Sequence, residues 1–399
     1  INMNWVAIQT AAQETFGSSS SHTPSERAPT AAVASDSSSD EDNDVQGVVM
    51  AKNKKKRATK SITATQEKIL NQLLHKWRAN NSSAWKCLAL TFVIWTTSVY
   101  LLVKYQNIPS CLLVAASIVR NFMILHDACH LSFFETNRQN VRLCKFIQYF
   151  SQFEWTTWQS THNHHHRHLG DNSVIDTSLT VWFTEAEYAA MPLKFKIPFR
   201  IIRDPLVFFP VASAWVFFIS RPLVQFGSRY VVPICLYFAF GSRVSLLYCL
   251  AGLLAGIIGL ALFHLQHQVN TPYRVSKERR SGVDAGLYGS TLLAIRWPFT
   301  LMTLGIEFHH IHHASVKVPG YHLAACHAEG EALNLFEGIN RVGRWRAFVS
   351  MFHAVFAGSV KHSHADHHHY DENHPPPSFA AFWPYSALGL YDQTPIKTM

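Results

Sequence analysis

Charge is what this sequence has least of. Charged side chains make up 15% of its 399 residues, against about 25% in an average domain. The deficit is uneven. Residues 1–60 are polar and of low complexity, whereas much of 85–310 is strongly apolar, and that part reads as membrane-embedded rather than as a soluble core. Other absences narrow the class. No CxxC pair occurs, and the seven cysteines (87, 111, 129, 144, 235, 249, 326) are scattered, several of them in apolar runs. Buried reduced thiols are therefore expected, not a disulfide framework. No apolar h-region lies near the start, so a secretory signal is not expected, and the acidic run SDSSSDEDNDV disfavours a transit peptide.

The charge that is present leans basic, +9 from 35 basic and 26 acidic residues. These basic residues flank apolar runs, so a membrane surface is the expected partner and nucleic acid is not. The stretch 17–48 cannot bury enough apolar surface to order itself, and residues 1–60 read as a disordered tail. The tail ends in KNKKKRATK, a positive-inside signal that puts the N-terminus in the cytosol. Two apolar runs, 86–103 and 109–125, are joined by the short turn KYQNIPS and are each close to the ~20 residues that span a bilayer. They form a hairpin that returns to the cytosolic face. Arg120, inside the second run, is expected to snorkel or to meet a buried partner.

Residues 131–160 are aromatic and amphipathic and suit a helix along the interface. Three more runs follow, 204–219, 230–240 and 244–266. If all three crossed, the histidine-rich segment after them would land on the wrong face. The first is interrupted by Pro205 and Pro210 and reads as half-inserted. That leaves spans at about 229–241 and 244–266, four in all. Residues 283–306 look interfacial, and 320–399 read as a cytosolic cap. The expected domains are a tail at 1–60, a membrane domain at 61–345 and a C-terminal segment at 346–399. The expected fold is an all-α integral membrane protein with four transmembrane helices and a cytosolic helical cap that holds a di-metal site.

Three histidine clusters would meet at that face: HDACH (126–130), HNHHHRH (162–168) and HHIHH (309–313). His126 and His130 are four apart and share a helix face. His162, His165 and His166 have the spacing i, i+3, i+4, and His309, His312 and His313 repeat it. A lone histidine in an apolar run is usually hydrogen-bonded packing. Three boxes at one membrane face instead point to metal. Four ligands satisfy a structural zinc, and three with a water satisfy a catalytic one. Eight are too many for one ion and suggest two. His264 and His267, closing the last span, offer a further contribution, because an ionisable group there is costly unless used. His164, His168 and His310 do not fit the shared spacing, and the His-rich 361–374 reads as a solvated tail. Imidazole alone leaves zinc, copper, nickel and iron open.

The order HDxxH, then HNxHH followed by DNSVIDTSL, then HHIHH with VPGYHL resembles the membrane-bound fatty acid desaturases. The likeness is nearest to acyl-lipid enzymes that act beyond an existing double bond, and it spans about 85–345. It implies a mushroom-like helical membrane protein with a di-iron site, two iron ions cycling between Fe2+ and Fe3+. The ligands would be His126, His130, His162, His165, His166, His309, His312 and His313, with His267 as the match to a further ligand near the end of the fourth span. Asp127 and Asp176 would orient ligand rings or serve as caps. The implied reaction uses O2 to dehydrogenate a fatty acyl lipid or acyl-CoA to a cis alkene, at Δ12 (ω-6) of an oleoyl chain. The chain shows no glycine fingerprint for a flavin or dinucleotide in a strand–helix context, and no HPGG of a fused cytochrome b5. A separate cytochrome b5 or ferredoxin is therefore implied as electron donor, with the endoplasmic reticulum as the expected membrane and the site facing the cytosol.

Two rivals stand beside this reading. A lipid hydroxylase would use the same histidines. A non-catalytic metal transporter or sensor would carry histidines or carboxylates along the middle of its spans, whereas here they gather at span ends.

Overall fold

The computed structural model describes residues 61–342 apart from 172–173, 175–182, 185–190, 203, 220–221, 269–274 and 276, together with 360–361. The chain divides into residues 1–60 and 61–399. The first unit, with the expected tail and its basic cluster, lies outside the described residues, as do Asp176 and His-rich 362–374.

The second unit begins with α1 (Ala64–Lys76) and the hairpin α2 (Asn81–Tyr105) and α3 (Ile108–Cys129). The hairpin turn follows from its residues. Gln106 ends α2 at φ 46°, Asn107 caps α3 by accepting from the Ser110 N–H, and Pro109 sits in the first turn, where its missing N–H costs nothing. Next come α4 (Asn137–Ser151) and α5 (Trp155–His168), broken at Gln152 with φ 60°. After these lie α6 (Leu193–Ile202), α7 (Pro205–Ala214) with a π turn over 215–219, α8 (Pro222–Phe240) and α9 (Ser242–Gln268). The cap adds α10 (Gly282–Tyr288), α11 (Thr300–Thr303), α12 (His309–Ala314) and α13 (Gly320–Ala332). Among the described residues there are also four strands of two or three residues: β1 (Phe183–Thr184), β2 (Thr291–Leu293), β3 (Asn340–Val342) and β4 (Val360–Lys361). They pair in parallel as β1 with β4 and β2 with β3. The architecture is an all-α membrane fold.

Among the described residues, four helices are long and apolar enough to cross a membrane: Asn81–Tyr105, Ile108–Cys129, Leu223–Phe240 and Ser242–His267. The second is the central one, 67% buried within the protein against 22–28% for the others. The ten residues of α7 rise about 15 Å, half a bilayer core. The third span starts at Leu223, about two turns earlier than its hydropathy suggests. Gln225, Ser228 and Arg229 dilute the apolar signal there, but all three are buried, and Gln225 accepts a hydrogen bond from the Glu154 N–H. Polar residues that face protein hide a span from a reading based on hydropathy.

Nor does α4 lie flat on the interface. Phe134, just ahead of it, meets Trp85 at a ring distance of 5.0 Å, and Phe150 at its far end meets Trp95 at 4.8 Å. These contacts are ten residues apart on α2, about 15 Å, so α4 descends beside α2 and buries Leu143, Cys144 and Ile147. An amphipathic period shows that one face is covered without showing by what. All seven cysteines are free thiols; Cys129 and Cys144 approach to 3.9 Å unbonded.

Two large apolar cores result, beside a small cluster of Leu265, Leu293 and Val342. One fills the bundle around α3, with Leu102, Ile118, Ile124 and Tyr248. The other joins α1, α10, α12 and α13 through Leu70, Leu73, Ile311, Leu323 and Phe336, and it backs the third histidine segment.

Arg120 finds a buried partner instead of snorkelling. It is 3% exposed; Nε donates to Thr91 Oγ1 at 2.7 Å, Nη1 to the Leu301 carbonyl, and Nη2 lies 3.7 Å from Cys87 Sγ. It thus ties α3 to α2 and α11. Arg120→Met is expected to destabilise the solubilised protein by about 2–3 kcal/mol, the value of charged hydrogen bonds lost without replacement. Thermal unfolding in detergent measures this, and an unchanged midpoint would remove Arg120 as a tie.

Candidate metal centre

Each histidine box sits on a helix that presents it inward. His126 and His130 close α3. The second box rides on α5, whose N-terminus is capped by the Glu154 carboxylate, accepting from the N–H groups of Thr156 and Thr157 at 2.9 and 2.8 Å. The third box is α12. Gly286 of α10 allows it to pack close, because a Cβ there would come within 2.8 Å of the Ala314 backbone. His267 closes α9.

The nine histidines singled out in the sequence come together in two groups. His126, His130, His162, His166 and His312 form the first, with ligand-capable atoms within 4.8 Å of one another. His165, His267 and His313 form the second. His309 joins it, with Nε2 2.8 Å from His267 Nε2 and 3.1 Å from His313 Nε2. The helical spacing is used in a particular way. In each HxxHH box the i, i+4 pair enters one group and the i+3 residue enters the other. On α5 the pair His162/His166 belongs to the first group and His165 to the second. On α12 the pair His309/His313 belongs to the second and His312 to the first.

The donor set fits a cation. His267 Nε2 lies 2.8, 3.2 and 3.3 Å from the Nε2 atoms of His309, His165 and His313. In the first group His166 Nε2 is 3.0 Å from both His162 Nε2 and His312 Nε2. A neutral imidazole nitrogen carries one hydrogen or one lone pair, so three such contacts at one atom are not three hydrogen bonds. Nitrogens bound to a shared ion at about 2.0–2.1 Å sit about 3.0 Å apart at right angles and about 3.4 Å apart in a tetrahedron. The observed separations match.

Burial prepares the rings. His130, His162, His166, His309, His312 and His313 are all held well below the usual imidazole range, first by loss of solvent and then by repulsion from neighbouring imidazoles. Each is neutral near pH 7, with a lone pair to give. His126 is also oriented. Its Nδ1–H donates to Asp127 Oδ1 at 3.1 Å, which turns Nε2 toward the group. Asp127 Oδ2 accepts from the Gly320 N–H at 2.7 Å. Gly320 is required there, because a Cβ would meet Leu304 O at 2.3 Å. The flanking segment VPGYHL is thus a clamp on the end of α3. Tyr321 Oη donates to the Phe133 carbonyl at 2.8 Å, and Lys317, just upstream, donates to the His130 carbonyl at 2.9 Å.

The histidines outside the shared spacing lie outside both groups. His168 Nδ1 faces the His164 carbonyl at 2.9 Å. His264 packs against Phe208 and Phe209 of α7. His310, on the far side of α12, meets His327 at 3.2 Å against Phe336. Trp158, one turn before His162, escaped the sequence reading. It stacks on that ring at 4.6 Å, and its i, i+4 spacing to the box was the available signal.

Beside the cluster lies a pocket of about 240 Å3. His126, His162 and His309 stand at one end; Phe122 and Met123 of α3, Trp158, and Gly259 and Phe263 of α9 wall the rest. A Cβ at Gly259 would meet nothing within 4 Å, so that glycine leaves the pocket open.

The chain also resembles known proteins. A family model described as fatty acid desaturase matches residues 104–334. Over 240 residues the chain is 31% identical to a fatty acid desaturase of Bacillus subtilis (strain 168), which covers 55% of this chain and 67% of that protein.

The neutral rings set a pH dependence. In the unfolded chain histidine titrates near pH 6.5; in the folded protein the six rings named resist protonation. As the pH falls through about 6.5, only the unfolded chain gains protons, so stability that is complete above this pH declines on acidification. Thermal melts of chelator-treated protein should show a midpoint that falls steadily from about pH 7.5 to about pH 5.5. A flat profile would mean that the rings are not buried neutral.

Proposed function

The chain belongs to the fatty acid desaturase family, and from that premise we propose that it inserts a cis double bond into a membrane acyl chain in an O2-dependent reaction at a di-iron centre. The observation that carries this reading is the pair of converging imidazole groups at the end of an apolar pocket. The nine histidines, His126, His130, His162, His165, His166, His267, His309, His312 and His313, are the proposed ligands. When bound, the irons would activate O2, the oxidant, for removal of hydrogen from an unactivated C–H bond.

The protein's own residues do the rest. The pocket receives the acyl chain. Phe122, Met123 and Phe263 exclude water and hold a methylene pair against the histidine end. Trp158, stacked on His162, fixes that ring while forming pocket wall. Asp127 keeps His126 in the tautomer that offers Nε2. Electrons come from a separate cytochrome b5 or ferredoxin. The regiochemistry proposed is Δ12 of an oleoyl chain, in the endoplasmic reticulum with the histidine end toward the cytosol.

Expression in yeast tests this. Gas chromatography with mass spectrometry should reveal a diunsaturated C18 acyl chain absent from the host, and His166→Ala should abolish it. Purified wild type should carry two irons per chain and the variant fewer. A hydroxylated product would replace desaturation by hydroxylation; an unchanged lipid profile with stably inserted, iron-loaded protein would sink the proposal. Gly259→Leu should keep its iron yet lose product by about tenfold or more, because the acyl chain is displaced from the reacting position. Undiminished product would put the chain elsewhere.

A further inference from the structure

A second apolar groove, of about 290 Å3, runs between α2 and α4 and is walled by Trp85, Leu88, Phe92, Trp95, Phe146 and Phe150. It is separate from the pocket at the histidines. Ile118, Val119, Phe122 and Met123 of α3 face that pocket, whereas Asn121 faces the groove. Its position in the bilayer follows from α2. At the start of α2 the Asn81 N–H donates to Glu135 Oε1, and the Glu135 N–H donates to Asn81 Oδ1. The beginning of α4 therefore lies at the membrane surface. Phe150 lies beside Trp95, fourteen residues into α2, about 21 Å deeper. The groove thus has the depth of one leaflet.

The residues of α4 along this path are arranged by chemistry. Arg138, Arg142, Phe146 and Phe150 are spaced four apart and form one ridge of the helix. The two phenylalanines, the deeper pair, line the groove. The two arginines, the shallower pair, are exposed, and neither makes an ion pair or hydrogen bond among the described residues. Lys145, also exposed, adds a third cation one turn along. Glu135 is engaged with Asn81. A cationic ridge that continues into an aromatic slot, at headgroup depth and then acyl depth, matches a lipid in both charge and polarity. A soluble acidic protein would use the arginines and leave the slot empty.

We infer that this groove binds an anionic glycerophospholipid of the leaflet at the histidine end, its headgroup phosphate on Arg138 and Arg142 and one acyl chain between α2 and α4. The lipid is not the substrate, because the groove does not reach the histidines. Bound there, it fastens α4, which leads directly into the α5 histidine helix.

Native mass spectrometry of the full-length protein in micelles titrated with phosphatidylserine or phosphatidylcholine tests this. Wild type should retain one phosphatidylserine in preference to phosphatidylcholine. Arg138→Gln/Arg142→Gln should weaken retention by about fivefold per arginine, about 25-fold in all. Ala89→Trp, which fills the groove and leaves the arginines in place, should also lose the lipid; Arg138→Lys/Arg142→Lys should keep most of it. Equal retention of both lipids by wild type, or undiminished phosphatidylserine on either the glutamine or the tryptophan variant, would overturn the inference. So would a glutamine variant that keeps its lipid and instead loses affinity for an acidic electron-carrier protein.

Discussion

Nine imidazoles drawn into one water-poor place impose the constraint on which the rest of this structure depends. A ring that is to hold a metal ion has a single lone pair to point. If the lone pairs face inward, the N–H groups face outward and need something to meet, or they remain unpaired at a cost. Asp127 meets one of them at His126. Among the described residues, the buried Nδ1 atoms of His162, His309 and His312 meet no hydrogen-bond partner. The surrounding helices must therefore hold rings that would otherwise turn away, and they do so by packing. Capping by Glu154, the close approach at Gly286 and the clamp of 317–322 on α3 all serve this end.

The two apolar cores divide the labour. The bundle core, centred on α3, sets the first box and the wall of the apolar pocket. The second core packs on α12 through Ile311 and so supports the third box. Arg120 links α3 to α2 and α11 within the bundle. A cation there costs less than it seems, since neutral acceptors surround it and no counter-charge has to be desolvated.

Much of this was legible in the sequence, for identifiable reasons. The spacing of HDxxH and HxxHH on helices brought eight of the nine histidines into view, His267 stood out by its place at the end of the last span, and the short KYQNIPS marked the hairpin turn. Hydropathy failed at Gln225, Ser228 and Arg229 because it scores exposure to lipid, and these residues face protein. It failed for α4 because a helix that packs on another helix has the same period as one that floats on a surface. Division of the histidines into two groups was illegible for a different reason. One helical face lists neighbours, but only the partner helices decide which neighbour turns toward which centre. The pairing of His310 with His327 likewise needs α13 in place.

In both HxxHH helices the i and i+3 rings go to different groups, and that has a mechanical consequence. The gap between the two centres is bridged twice by rigid backbone, once along α5 and once along α12, each across a single turn. Those turns act as a pair of covalent rulers. Side-chain rotamers can adjust the position of one nitrogen, but the centre-to-centre distance is written into the rise of two helices. A local distortion at one centre therefore cannot stay local. It is transmitted to the other with the stiffness of a hydrogen-bonded turn, and the two groups behave as one mechanical unit.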